Sequence, residues 1–444
     1  MTRVTRLPKD PGPAAWNALL PEAGPPRVLE AKVSADWLVI GAGWAGLAAA
    51  RRLTQLRAGD RIVLLEASRV GEGPAGRNSG FMIDLPHDLS ADSYSGSVAA
   101  DRQQTEMNRA GIAFAAEAAE EYGLSEEAFA RSGKINAAAT ESGSKLNADY
   151  ASHLAALDEP YERLDSHAMR ELTGIGFYRD GVFTPGAAIV QPAMFVRGVA
   201  QGLAGKVEIY EASPVTSMTR EGKAWLAATP QGAVSTPRVI LAVNGHAESF
   251  GYFHRKLMHV FTYASMTRAL TEPETARLGG RPRWGVLPAD PMGSTLRRIS
   301  GTGGERIVVR NRFTYNPSME VSPSRLKKIA KAHDASFRAR FPMLEKVEMD
   351  YRWGGRLCLS LNGVPAFGEI EEGLYSACCQ NGLGTSKGTL AGMLAAELAA
   401  QSNSPLITQM LSHDAPKSLP PEPFAWIGAN ATLRWKEWKA GGEF

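Results

Sequence analysis

The sequence predicts an α/β protein in which a Rossmann-like domain is interrupted by an inserted, mostly antiparallel α+β domain. Three observations support this fold class. Residues 36–66 have a strand–turn–helix–strand pattern with a glycine-rich turn, buried strand-like runs recur at 239–243 and 374–379, and several closely spaced strand-like runs lie between those two, at 260–313. Strands that alternate with helices are typical of a parallel sheet, whereas closely spaced strands indicate an antiparallel one.

The glycine-rich turn follows the apolar run Trp37–Ile40 and has the pattern Gly41-x-Gly43-x-x-Gly46. In such a turn the first glycine permits the tight bend, Gly43 leaves room for a pyrophosphate, and Gly46 lets helix and strand pack closely. The helix that follows would direct its free N–H groups and positive dipole end at the phosphates. Glu66 ends the next strand, where a carboxylate can accept hydrogen bonds from both ribose hydroxyls. The segment predicts a dinucleotide site but does not distinguish NAD from FAD.

Length and composition exclude several function classes. With 444 residues and a net charge of +3, the chain is long enough for two or three domains and lacks the basic excess of nucleic-acid-binding proteins. It has no run of about 20 apolar residues that could cross a membrane, and its start lacks the apolar core of a signal peptide. The three cysteines and eight histidines have neither disulfide-framework nor metal-site spacing. We expect a cytoplasmic protein with no metal, no nucleic-acid partner and no integral membrane segment.

Hydrophobic periodicity predicts the remaining elements. Residues 98–157 have helical spacing, residues 186–203 are expected to form one helix after Pro185-Gly186, and residues 323–340 are expected to form a basic amphipathic helix. Residues 1–33 are rich in proline and are expected to form an irregular arm on the surface. The other predicted elements are the strands Val207–Tyr210, Val239–Val243, Val260–Met266, Thr295–Ile299, Arg306–Phe313 and Leu374–Cys379, and the helix Lys387–Gln401.

Four segments of the chain, taken in order, resemble the FAD-dependent amine and amino-acid oxidoreductases of the D-amino-acid oxidase, glycine oxidase and sarcosine oxidase type. The resemblance spans about residues 30–400 and is greatest for the subgroup of γ-glutamylputrescine oxidases and iminodiacetate-type oxidases. It implies FAD rather than NAD. The matching segments are Gly41–Gly46 with Glu66, Gly76-Arg77-Asn78-Ser79-Gly80, Val239–Gly245, and Trp353–Gly368 leading to Gly382-Leu383-Gly384.

The order of the predicted elements divides the chain into an N-terminal arm (1–33), a discontinuous FAD-binding domain (34–90, 180–250 and 352–404), a substrate domain (91–179 and 251–351) and a C-terminal tail (405–444). A helix beginning near Ser386 would point its N-terminus at the flavin, although a packing role for its glycine-rich entry is the alternative. The implied cofactor-binding residues are Gly41, Gly43, Trp44, Ala45, Gly46, Glu66, Ala67, Gly76, Arg77, Asn78, Ser79, Val215, Asn244, Gly245, Gly382, Leu383, Gly384 and Thr385.

The implied reaction removes a hydride equivalent from the carbon beside an amine nitrogen, and the imine product hydrolyses to a carbonyl compound and a smaller amine. Because the flavin supplies this chemistry, a neutral amine substrate needs no strong general base. The expected partners are a small-molecule amine, including an anionic one, and molecular oxygen as acceptor. A secondary amine such as iminodiacetate or an N-substituted glycine is the leading interpretation. The alternatives are a primary amine end as in γ-glutamylputrescine, a quinone-linked dehydrogenase, or a flavin-carrying subunit without turnover.

The family's usual clamp for a substrate carboxylate is missing, because the aligned positions are Leu357, Phe81 and Ser386 here. Residues 281–312 instead contain seven arginines against two acidic residues. In Arg306–Phe313, strand alternation places residues 306, 308, 310 and 312 on one face. We therefore expect one or more of Arg298, Arg306 and Arg310 to bind a substrate carboxylate; a solvated strand face is the alternative.

The resulting candidates for the catalytic site are Arg298, Arg310, Phe81 and Tyr263. Arg298 is the favoured carboxylate ligand, Phe81 follows the segment that passes the flavin, and the Tyr263 hydroxyl could donate to the substrate; a core tyrosine is the alternative. The family's flavin-linking cysteine aligns with Gly355 rather than with Cys358, so non-covalent FAD is expected.

Overall fold

The computed structural model describes residues 2–86, 94 and 96–444, and within these residues the strands form four sheets. The central one is a six-stranded sheet in which five strands are parallel and the last is antiparallel. The helices Trp44–Leu56 and Ser386–Ala399 pack on it and on each other. Its strands, in spatial order, are Glu208–Tyr210, Ile62–Leu65, Trp37–Ile40, Val239–Leu241, Leu374–Cys378 and Ala366–Glu371.

An eight-stranded, mostly antiparallel sheet forms the second large layer, with the helix Pro323–Arg340 packed against it. Together with the six-stranded sheet it confirms the predicted α/β class with an antiparallel α+β insertion. The strands are, in spatial order, Met349–Leu359, Met258–Thr267, Arg306–Tyr315, Thr295–Ile299, Trp284–Pro288, Lys134–Ala138, Asp180–Thr184 and Glu162–Asp165.

Two strands that the predicted boundaries at 180 and 352 assign to the FAD-binding domain lie in the eight-stranded sheet instead. Asp180–Thr184 pairs with Lys134–Ala138, and Met349–Leu359 pairs with Met258–Thr267 along nearly its whole length. These ladders join residues far apart in sequence, so periodicity alone could not assign them. The predicted boundary between residues 90 and 91 lies outside the described residues.

Two smaller sheets and the remaining helices complete the fold. The five-stranded sheet consists of Thr2–Arg3, Ser217–Glu221, Ala224–Ala228, Ala233–Thr236 and Lys32–Ser34, and the three-stranded sheet of Phe81–Met82, Ala188–Val190 and Phe129–Ala130. The other α-helices are Ala15–Ala18, Val98–Glu121, Glu141–Leu157, Ser166–Thr173, Pro192–Gly202, Glu272–Leu278, Pro405–Leu411 and Phe424–Ala440, and the 3-10 helices are Pro74–Gly76, Asn244–Phe250, Pro342–Leu344 and Gly441–Glu443. Within the described ranges, no helix has the length and apolar character needed to cross a membrane.

Three predicted elements differ in the structure. The helical region 98–157 is two helices with the strand Lys134–Ala138 between them. The predicted helix 186–203 is shorter than expected, because Ala188–Val190 forms a strand. The helix starts at Pro192, where the Gln191 side chain accepts a hydrogen bond from the Met194 N–H and caps the first turn. The N-terminal arm is not only a surface segment, since Trp16 is 1% exposed.

Candidate active site

A continuous cleft runs along the carboxyl ends of the parallel strands and reaches the face of the eight-stranded sheet. This edge is where open α/β sheets bind ligands. Glu66 and Val215 line one end of the cleft, and Thr295 and Arg310 line the other. The cleft therefore connects the predicted dinucleotide site with the predicted substrate domain.

Each of the three positions in the turn is occupied by glycine for a different structural reason. Gly41 has a φ of +101°, and a Cβ there would lie 2.7 Å from the Ala242 carbonyl oxygen. A Cβ at Gly46 would lie 1.7 Å from the Gly41 oxygen, so this position needs glycine for packing. A Cβ at Gly43 would instead have Ala75 Cβ, at an ordinary 3.6 Å, as its nearest neighbour among the described atoms. The space beside Gly43 opens into the cleft. The absence of a side chain at Gly43 is therefore explained by the room that a pyrophosphate needs, and packing within the protein does not require it.

Two features beside this turn suit a dinucleotide. The helix Trp44–Leu56 begins after Gly43, which has no side chain to cap it, so its first N–H groups are available to an anion. The Glu66 carboxylate accepts hydrogen bonds from the N–H groups of Ala42 (2.9 Å) and Ser68 (3.0 Å). Burial raises the pKa of Glu66, while these backbone donors oppose the rise. Each carboxylate oxygen keeps a lone pair that can accept from a ribose hydroxyl.

The segment Arg77–Ser79 enters the cleft with its backbone carbonyls held by three side chains. The Trp353 indole donates to the Arg77 oxygen at 3.0 Å, and the Trp16 indole donates to the Asn78 oxygen at 2.9 Å. Arg297 donates to the Ser79 oxygen at 3.0 Å. These hydrogen bonds fix the position of the backbone of Arg77–Ser79 in the cleft.

The loops after the last two parallel strands meet at the same place. The Asn244 side chain accepts from the Cys379 N–H at 3.1 Å, and the Thr385 hydroxyl donates to the Phe81 oxygen at 2.6 Å. All the predicted cofactor-binding residues line the cleft except Gly46 and Gly76. Those two serve packing, because a Cβ at Gly76 would lie 1.9 Å from the Gly71 oxygen.

At the substrate end, two of the predicted catalytic-site residues, Phe81 and Arg310, line the cleft. Thr295 lies directly opposite Arg310 on the neighbouring strand, and Thr262 presents a buried hydroxyl that has no partner among the described residues. Leu287, Ile83 and Leu357 form apolar wall between these groups.

Arg310 supplies a positive charge at the substrate end of the cleft. Its guanidinium lies over the Phe313 ring, 4.5 Å from the centroid. Within residues 2–86, 94 and 96–444, it forms no hydrogen bond and no ion pair. Burial lowers the pKa of Arg310 to about 10, so the side chain remains cationic at neutral pH. A partly buried cation of this kind attracts an anionic ligand.

The other two predicted catalytic-site residues, Arg298 and Tyr263, do not line the cleft. Arg298 pairs with Glu305 at 2.6 Å and also donates to the Gly279 oxygen. Tyr263 is fully buried, and its hydroxyl lies 2.6 Å from the Thr314 hydroxyl. It points away from the cleft because its strand neighbour Thr262 points into it.

The predicted arginine face is also only partly correct. Arg306 binds Asp350 at 2.9 Å. Arg312 has a φ of +62° at a bulge opposite Thr262, and it pairs with Glu437 of the C-terminal helix. Of the arginines predicted to share this face, Arg310 is the one that lines the cleft.

The lining residues Thr262 and Thr295 were not predicted from the sequence, and neither was Arg297, which supports the cleft from behind the Ser79 carbonyl. Thr295 could have been found as the cross-strand neighbour of Arg310. Arg297 lies beside the predicted candidate Arg298, and alternation places the two on opposite faces. Burial lowers the pKa of Arg297 to about 9, and its charge is stabilised by backbone carbonyls.

The residues of the cleft fit FAD. The open space at Gly43, the helix start at Trp44 and the buried Glu66 suit its pyrophosphate and ribose, and the Arg77–Ser79 and Gly382–Thr385 segments would flank its flavin end. In the part of the chain that the structure describes, no group of three His, Cys, Asp or Glu side chains could hold a metal ion.

Comparison with known proteins agrees with this geometry. The family model described as DAO, FAD dependent oxidoreductase, matches residues 36–398. γ-Glutamylputrescine oxidoreductase of Escherichia coli is 25% identical over 83% of this chain and 84% of its own length, and a probable oxidoreductase OrdL of Haemophilus influenzae is 26% identical over 82% of each. A crystal structure of glycine oxidase from Geobacillus kaustophilus superposes with a TM-score of 0.67 at 20% identity, covering 84% of this chain and 96% of its own, which shows the fold. The predicted family and cofactor are confirmed: the chain belongs to the DAO family of FAD-dependent oxidoreductases.

Proposed function

We propose that the protein oxidises the carbon–nitrogen bond of a small amine that carries a carboxylate. Secondary amines of the iminodiacetate or N-substituted glycine type are the leading substrates. The observation that carries this proposal is Arg310, a cation in the cleft with no acidic partner in the described part of the chain. Leaving a charge unpaired in a partly buried site is unfavourable, and a substrate carboxylate would supply a two-point partner for the guanidinium.

The residues around Arg310 suit the rest of such a substrate. FAD, when bound, accepts the hydride equivalent. Arg310 would hold the carboxylate and thereby orient the adjacent C–H bond, which is the main contribution that a protein makes to this chemistry. The apolar side chains of Phe81, Leu287 and Leu357 disfavour an ammonium group and so favour the neutral amine. The free hydroxyl of Thr262 can accept from the amine N–H or donate to the carboxylate.

The second candidate substrate is a primary amine end, as in γ-glutamylputrescine. The similarity to the Escherichia coli γ-glutamylputrescine oxidoreductase supports it. That compound also carries a carboxylate, but a long chain separates the carboxylate from the reacting amine. The two candidates therefore differ in the distance between the anion and the oxidised carbon. We propose molecular oxygen as the electron acceptor; a quinone-linked dehydrogenase and a flavin-carrying subunit without turnover are the remaining alternatives.

Flavin bleaching without oxygen tests this proposal. Purified holoprotein is mixed with iminodiacetate, N-ethylglycine, γ-glutamylputrescine and putrescine, each acid being paired with its neutral amide. We expect the short N-substituted amino acids to reduce the flavin, and their amides to react at least about tenfold more slowly. Reduction by putrescine-type amines alone would replace the leading substrate, and no bleaching by any amine would contradict the function. Air and a soluble quinone, added afterwards, distinguish an oxidase from a dehydrogenase.

A further inference from the structure

The C-terminal helix Phe424–Ala440 carries an exposed apolar stripe that the oxidoreductase site does not use. Among the described residues, nine large hydrophobic side chains are exposed, and five of them lie on this one helix. Trp438 is 78% exposed and Phe424 is 68% exposed. Apolar surface concentrated in this way marks an interaction site. Four of the five, Phe424, Ile427, Trp435 and Trp438, form the stripe, and the fifth, Trp426, lies on another side of the helix.

The stripe is one face of a helix that is firmly held on its other side. At about 100° per residue, the positions 424, 427, 431, 435 and 438 fall within an arc of about 80°. On the opposite side Glu437 accepts from the Phe313 N–H at 3.1 Å and pairs with Arg312. Ala425, Ala429 and Leu433 pack against the strand that contains Phe313. The outward direction of the stripe is therefore fixed by the fold.

The exposed charge beside the C-terminal part of the stripe, at Trp435 and Trp438, is cationic. Glu437 is the only acidic residue in the helix sequence, and it is buried against Arg312 and Arg434. Lys439 is exposed, and its ammonium lies 5.6 Å from the centre of the Trp435 ring. Tryptophans bordered by lysines are typical of helices that lie in a membrane interface, where the rings occupy the head-group region and the cations meet anionic lipids.

We propose that this helix docks the protein on the surface of an anionic lipid bilayer, with the Trp435 and Trp438 rings inserted between head groups. A second copy of the chain fits the stripe less well. A 17-residue helix is about 25 Å long, and a face about 10 Å wide offers on the order of 250 Å², whereas a stable dimer buries about 800 Å² per partner. Two such faces placed together would also bring their lysines close to each other.

Vesicle sedimentation of the full-length holoprotein tests the proposal. The vesicles consist of phosphatidylcholine alone or of phosphatidylcholine mixed with phosphatidylglycerol. We expect binding to the anionic vesicles and at least about tenfold weaker binding to the neutral ones. The double variant Trp435→Ser/Trp438→Ser should lose about tenfold or more, and Lys439→Glu should weaken binding only to anionic vesicles. Leu361→Ser is the matched control, because Leu361 is 55% exposed but lies in a turn outside this helix.

Circular dichroism and flavin content show whether each variant is folded, and Trp438→Ser alone serves if the double variant is not. The proposal is overturned if the wild type ignores both vesicle types, or if the tryptophan variants bind as well as the wild type. It is equally overturned if sedimentation velocity shows a dimer that dissociates in the tryptophan variants and binds no vesicles. In that case the stripe is an interface between copies.

Discussion

Replacing Gly43 by valine should leave the fold intact and remove FAD. Gly43 has φ −85° and ψ −169°, an extended conformation that valine adopts readily. Its Cβ would meet Ala75 at an ordinary 3.6 Å. The branched side chain would instead occupy the part of the cleft beside the start of the helix Trp44–Leu56, where the pyrophosphate is expected.

The magnitude follows from the contacts that the pyrophosphate would lose. Hydrogen bonds to a charged acceptor contribute about 1.5–3 kcal/mol each. Loss of two N–H donors from the first turn of the helix would cost about 3–6 kcal/mol, or about a hundredfold to ten-thousandfold in FAD affinity. Glu66→Ala should be milder, at about tenfold to a hundredfold in FAD affinity, because it removes the ribose contacts and the acceptor of the Ala42 and Ser68 N–H groups but leaves the pyrophosphate site open.

The assay is the flavin-to-protein absorbance ratio after purification, together with the thermal midpoint of the apoprotein. Gly46→Ala is the contrasting variant, because its Cβ would lie 1.7 Å from the Gly41 oxygen and should prevent folding. A Gly43→Val protein that purifies fully yellow would refute the placement of the cofactor.

Three further predictions concern the cofactor linkage, stability and the N-terminal arm. Acid precipitation should leave the yellow colour in the supernatant, because the neighbouring Cys379 and burial both raise the pKa of Cys358 and so disfavour the thiolate that would attack the flavin. A yellow pellet would show a covalent link. Burial lowers the pKa of His333 to about 3, so between about pH 6.5 and pH 3 the unfolded state binds a proton that the folded state does not. The free energy of unfolding should therefore fall as the pH is lowered from about 6.5, by up to about 1.4 kcal/mol per pH unit. In denaturant titrations at several pH values, His333→Asn should show a smaller change of unfolding free energy with pH, and an unchanged pH dependence would contradict the assignment. Trp16→Phe removes the hydrogen bond to the Asn78 oxygen, which should lower the free energy of unfolding by about 1 kcal/mol and speed FAD release, measured by flavin fluorescence. The control Trp426→Phe, at an exposed position, should change neither quantity.

Local patterns are sufficient to predict that most of the cofactor candidates lie along one cleft. The turn Gly41–Gly46 and the acid Glu66 lie within one strand–helix–strand unit, so their spacing alone determines how they meet. Arg310 could also be proposed as a cleft residue, because alternation along a regular strand needs only local sequence.

The substrate end depended on features that the sequence does not display. The bulge at Arg312 ended the alternation, and only the cross-strand register reveals it. Tyr263 was assigned to the wrong face, because the face of a strand that meets a cleft depends on how the two large sheets pack. Arg298 is tied to Glu305, which the same hairpin supplies. The deep insertion of Trp16 likewise depends on a partner, Trp353, that is distant in the chain.

The binding of a substrate carboxylate by Arg310 is tested most directly by anaerobic flavin reduction in Arg310→Met, using an acid substrate and its neutral amide. Removing an arginine that pairs with a carboxylate costs about 2–4 kcal/mol, so the apparent dissociation constant of the acid should rise about thirtyfold to a thousandfold. The amide should be affected less than about threefold, and Arg298→Gln should affect acid and amide equally. Equal losses on acid and amide in Arg310→Met, or no loss on either, would contradict the assignment of Arg310 as the carboxylate ligand.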